Sequence, residues 1–291
     1  MIYLLLTFDV PNSYNTAPKD NSEIRTLLHR CYDLLDQIER SRATWFVDEF
    51  GYRLTEGIPD ELCLMSQYGE VALHAHLNLP PHGTRERIPD SYDLVMTQIE
   101  NGYQRLKNFL VNQSLQDGLF SIRAGSFLTN NVFYQSMANI GLINDSSVPA
   151  YHSARTMTVG QMVRKQFLGK LHIINDQRRY LNSGTQPYFF KPEQPLISNG
   201  NGRLLEVPVH IYTRMLERGF KLEELVKIQM SKKARANQFF LNFAMHPYEF
   251  SNFGLFATFL QRFREMEAVQ FVTARKVRSL LDSTGLSSEK A

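Results

Sequence analysis

Cysteine is nearly absent. The 291-residue chain has two, Cys31 and Cys63, far apart and without the spacing of a metal knuckle, so a disulfide framework, a thiolate zinc cluster and a cysteine nucleophile are all set aside. Buried thiols in a reducing compartment are the expectation. Charge of one sign is lacking too: the formal net charge is only +3. The short basic group Lys232, Lys233 and Arg235 reads as a solvated helix face, and no nucleic-acid partner is expected. No apolar run has the length of a membrane span. Ile2–Phe8 is apolar but lacks a basic leader and a small-residue cleavage site, so it reads as a core strand in a cytoplasmic protein. Internal repeats and an interdomain linker are missing as well.

What is present is an ordinary globular composition, 43% apolar and 21% charged, arranged as alternating short apolar runs and longer amphipathic segments. Strands are expected at Ile2–Phe8, Ala43–Val47, Glu70–Leu73, Leu119–Ile122, Leu142–Asn144, Leu204–Val207, Phe239–Ala244 and Val269–Val272. Helices are expected near Glu23–Glu39, Pro59–Gln67, Ser91–Val111, Asn131–Ile140, Leu222–Ala234 and Leu255–Met266, with one more closing the chain. This alternation predicts an α/β fold of parallel strands wrapped by helices, in one domain over residues 1–283 with a polar tail at 284–291. Residues 151–203, rich in Gly, Pro, Asn and Gln, break the rhythm and read as an insertion that acts as a lid or substrate wall.

The conspicuous polar residues stand where strands end: Asp9, Asp48, His74, His76, Arg123, Asp145 and His246. In a parallel barrel the carboxyl ends of the strands share one face, so these groups converge although distant in sequence. His74 and His76 are two apart in an extended segment and point the same way, which suits one divalent ion. Asp9 closes an all-apolar strand and needs a partner, either a metal or Arg123. His246 ends the run Phe239–Met245 and is a general acid or a satisfied core histidine. Asp48 is a spare carboxylate or a helix cap.

In order along the chain, these positions resemble the motifs of the polysaccharide deacetylases, carbohydrate esterase family 4. Leu6-Thr7-Phe8-Asp9 is similar to the T-F-D-D motif, and Ala43-Thr44-Trp45-Phe46-Val47 to the A-T-F-F-V strand. Arg123-Ala124-Gly125 resembles R-A-G, Asp145-Ser146-Ser147-Val148 the D-S-S strand, Leu204-Leu205-Glu206-Val207-Pro208 the L-x-E-x-P strand, and Met245-His246-Pro247 the last histidine motif. Two departures stand out. Val10 replaces the second aspartate, and His74-Ala75-His76 followed by Pro80-Pro81 resembles the H-x-H variant linked to cell-surface polysaccharide synthesis.

The resemblance implies a distorted (β/α)7-type barrel and a metal-dependent hydrolase that removes an N-acetyl group from a sugar. It implies a divalent metal, zinc first, on Asp9, His74 and His76. Asp9 serves as ligand or base, Arg123 orients it, Asp145 supports that arrangement and His246 protonates the leaving amine. The implied partner is a carbohydrate, an acetylated sugar or a lipid- or nucleotide-linked glycan, with Tyr151, Tyr188 and Phe189 stacking on it or packing in the lid. The rival expectations are hydrolysis of another linear or cyclic amide on the same fold, and a degenerate member that binds sugar without turnover.

Overall fold

The computed structural model describes residues 1–10, 20–38, 42–50, 53–77, 91–125, 129–148, 186–193, 202–212, 238–247, 253–265 and 269–283. The expected helix at Leu222–Ala234, the tail at 284–291 and most of the 151–203 insertion lie outside these residues.

The first strand, β1 (Ile2–Val10), explains the architecture. All nine of its residues are buried, as expected of a parallel strand covered on both faces. Alternate side chains go opposite ways. Ile2, Leu4, Leu6, Phe8 and Val10 pack against the helix layer, while Tyr3 and Leu5 meet Phe240, Leu205 and Val207 inside the curl of the sheet. Thr7 and Asp9 continue that inner parity. Val10, where a second acid was sought, belongs to the helix-facing set.

The remaining elements follow in strand–helix order. After α1 (Asn21–Asp36), capped by the Asp20 carboxylate on the Glu23 N–H at 2.9 Å, comes β2 (Ala43–Asp48). Short α2 (Leu54–Gly57) and α3 (Pro59–Tyr68), which starts on the favourable N-terminal proline, lead to β3 (Gly69–Ala75). Gly69 is a packing requirement, because a Cβ there would lie 2.0 Å from the Ala43 carbonyl oxygen. Then come α4 (Tyr92–Asn112), β4 (Ser121–Ala124), α5 (Asn131–Asn139) and β5 (Asn144–Asp145). The chain returns as β6 (Tyr188–Phe190), β7 (Leu204–Glu206), β8 (Ile211–Tyr212) and β9 (Phe239–Met245), and ends with α6 (Phe253–Arg264), β10 (Val269–Phe271) and α7 (Ala274–Ser283).

One sheet runs β6-β7-β5-β4-β3-β2-β1-β9-β8, with β10 also on β1. All pairs are parallel except β6 with β7. It curls into the expected α/β barrel because the segment after β7 crosses from β5 to β9. The N–H groups of Val207, Val209 and His210 donate in turn to the carbonyls of Asp145, Val148 and Asn242. Below that crossing, the Gln186 amide replaces a strand residue: its Oε1 accepts from the Phe240 N–H (2.9 Å) and its Nε2 donates to the Phe240 carbonyl (3.3 Å). Within the 151–203 segment, Tyr188–Phe190 forms a short strand paired antiparallel to β7.

Candidate functional site

The inner parity of the strands delivers polar groups to the carboxyl end of the barrel. Asp9 on β1, Arg123 on β4 and His74 on β3 are all within 2% of full burial. They lie within strands rather than just beyond them, because the ladders run on: His74 is the register partner of both Asp48 and Arg123. His246 follows β9 one residue after Met245, the partner of Phe8, and so stands beside Asp9.

Arg123 is the hub. Its Nη1 donates to Asp9 Oδ1 at 2.7 Å, its Nη2 to Thr7 Oγ1 and Ser146 Oγ at 2.8 Å each, and its Nε to the Ser146 carbonyl at 2.9 Å. Its guanidinium lies 4.1 Å from the centre of the Phe46 ring, which supports it from beneath. A buried ion pair this well bonded is compensated for the water it has lost. The other carboxylate oxygen of Asp9 lies 3.5 Å from His246 Nε2. His246 keeps 19% of its side chain exposed, against 3% for Asp9, so a substrate entering from solvent meets the histidine first.

His74 and His76 face each other edge-on, with ring centres 4.5 Å apart. Burial holds both imidazoles well below the ordinary histidine range; the Arg123 charge adds to this at His74, and His74 itself at His76. Both are therefore neutral, with lone pairs to offer. Gly125 makes room for them: a Cβ there would sit 2.3 Å from His76 Nδ1. The chemistry of these donors suits a divalent ion, and the buried His74 Nδ1, which has no hydrogen bond, lies 4.0 Å from Asp9 Oδ1. Among the described residues no three His, Cys, Asp or Glu side chains already converge as metal ligands. Asp48 sits beside His74 by register, and its carboxylate accepts from the Phe50 N–H (2.8 Å), closing a local turn instead of capping a helix.

Asp145 departs from expectation. It is the register partner of Ile122 and Glu206, one position out of phase with Arg123, and so faces the helix layer on the other side of the sheet. It does not hold Arg123; Ser146, the next residue, does. Asp145 accepts from the Ser147 hydroxyl and meets Glu206. Burial raises both carboxyls above their ordinary range, Glu206 the more because Asp145 lies against it.

Sequence reasoning missed Thr7, Ser146 and Asn242. Asn242 Nδ2 donates to Ser146 Oγ (2.9 Å) and to the Val207 carbonyl (3.1 Å), fixing the serine that carries Arg123. The signal was available: Asn242 is the one polar residue in Phe239–Met245, at inner parity. The aromatic expectation fails in part, since Tyr188 and Phe189 are 5% exposed and pack in the core, while Tyr151 lies outside the described residues.

No family model matches the chain, and no curated protein is similar to it in sequence. Solved structures are similar in fold. A protein assigned as a polysaccharide deacetylase from Mycobacterium smegmatis superposes with a TM-score of 0.61 at 15% identity, over 98% of this chain and 91% of that one. The fold is that of the polysaccharide-deacetylase barrels. Puue allantoinase matches with a TM-score of 0.60 at 12% identity, covering 97% of this chain and 91% of its own. Another protein assigned as a polysaccharide deacetylase, from Pseudomonas aeruginosa, gives 0.57 at 9% identity, with 97% and 91% covered. Among the described residues no helix is long and apolar enough to cross a membrane.

Proposed function

We propose that this protein is a hydrolase that removes an N-acetyl group from a sugar, in a glycan precursor carried on a lipid or nucleotide. The observation that carries this reading is the Asp9 carboxylate, gripped by Arg123 on one oxygen and facing the partly exposed His246 on the other. Amide hydrolysis needs a base for water and an acid for the leaving nitrogen, and these two groups stand within one reaction's reach. Asp9, aimed by Arg123, takes a proton from the attacking water. The water oxygen bonds to the acetyl carbon, His246 gives a proton to the amine as the C–N bond breaks, and acetate and the free amino sugar leave. A divalent ion, zinc by the resemblance, would supply Lewis-acid polarisation of the acetyl carbonyl, with Asp9, His74 and His76 as its candidate ligands.

The fold shared with proteins assigned as polysaccharide deacetylases supports a carbohydrate substrate. Its near-equal likeness to an allantoinase supports a second reading, hydrolysis of a small cyclic amide by the same groups. Acetate release from acetylated sugar nucleotides and oligosaccharides, with allantoin hydrolysis in parallel, separates the two. Asp9→Asn is expected to slow the true reaction by about 10²–10⁴-fold while leaving the protein folded. Equal rates from wild type and Asp9→Asn would remove the proposed mechanism.

A further inference from the structure

We propose that the opposite, amino-terminal end of the barrel holds a second site, for a nucleoside diphosphate. A cavity of about 990 Å³ opens there, where β10 fills the bottom half of the seam between β1 and β2. That volume is far larger than a lone phosphate needs and suits a small-molecule ligand.

Its walls have two characters. Arg42, Arg264, Arg275 and Lys276 bring four cations to one cavity. Two are fixed in advance. Arg275 is held by both oxygens of Asp117 (2.7 and 3.1 Å) and lies over the Phe120 ring at 4.3 Å, and Arg264 donates to the Gln37 carbonyl (3.1 Å). The Arg42 and Lys276 side chains have no hydrogen bond or ion pair among the described residues. Among the described lining residues the acids do not balance this set: Asp117 is spent on Arg275. Glu70 is buried, its carboxyl raised by desolvation and occupied by the Ser121 hydroxyl and the Arg275 N–H. Like charges so gathered focus a positive field in the cleft, and arginine forks suit phosphate oxygens. The lining also includes the partly exposed Leu115 and Phe271, apolar surface on which a base or similar flat ring can lie. A pyrophosphate joined to a flat ring matches both characters, whereas a bare anion matches one.

Titration calorimetry with ADP and with inorganic pyrophosphate, each at low and high salt, tests this. ADP is expected to bind more tightly than pyrophosphate and more weakly as salt rises. The double variant Arg42→Ala/Lys276→Ala, which changes two exposed side chains, is expected to weaken ADP about tenfold or more, and Asp9→Asn to leave it unchanged. Pyrophosphate binding as tightly as ADP would overturn the nucleotide assignment. Absence of binding by either probe, undiminished binding in a folded double variant, or loss of binding in Asp9→Asn would overturn the site itself.

Discussion

Two buried carboxyl clusters lie on opposite faces of the same sheet, and they meet the cost of burial in opposite ways. On the inner face Asp9 has a cation, Arg123, seated on Phe46 and tied to Thr7 and Ser146. On the helix-facing side Asp145 and Glu206 lean on each other, on hydroxyls and on backbone N–H groups, that of Val148 donating to Glu206 at 3.1 Å. The first is offset by a cation; in the second, burial raises both carboxyls above their ordinary range. The two also differ in access: the cluster paired with Arg123 opens towards solvent through His246, and the other is sealed beneath the helix layer.

The sharpest way to break this contrast is Arg123→Met, which leaves Asp9 buried without its cation. A loss of about 3–5 kcal/mol is expected in urea unfolding; a loss as small as that of a surface substitution would mean that Asp9 does not depend on the pair. Glu206→Gln should behave quite differently. An amide closely replaces a protonated carboxyl, so near pH 5 the cost is expected to stay within about 1 kcal/mol. Its signature is the pH dependence. Glu206 is held well above its ordinary value of 4.5, so above that pH the folded chain retains a proton that the unfolded chain has released. Wild-type stability therefore falls as pH rises from that value until the folded pair has titrated. Thermal unfolding of Glu206→Gln across the same range should show a flatter slope, and a parallel slope would refute the shared proton. The smallest effect belongs to Tyr134→Phe. Its hydroxyl contacts Asp145 and lies 3.1 Å from Thr129 Oγ1, and its loss should cost about 1 kcal/mol in the same melts, with acetate release unchanged.

The asymmetry also shows which parts of the molecule were legible in the sequence. The strand–helix alternation and the gathering of Asp9, His74, Arg123 and His246 at one end of the sheet follow from apolar runs that end in polar residues. Asp145 was misplaced because parity, not proximity in sequence, decides a strand residue's face, and β5 has only two paired residues from which to read it. Thr7 and Ser146 were illegible because small hydroxyls also occur as filler in strands. The closure through Gln186 could not be read at all, since a side-chain amide standing in for backbone leaves no period. The short α2 turn, with its N-terminal cap at Arg53 in a left-handed conformation (φ 45°), went unseen for the same lack of pattern.

The pairing of β1 has a consequence for how the chain is made. This strand precedes β9 and β10 by most of the domain, yet its ladder with β9 runs from Ile2–Phe239 to Phe8–Met245, and β10 joins it at Ile2–Leu4. One edge of this fully buried strand therefore stays unpaired until β9 has been made. Such contacts, distant in sequence, make folding slow and leave a template for mispairing while it waits. The prompt arrival of β9 and β10 is what covers that edge.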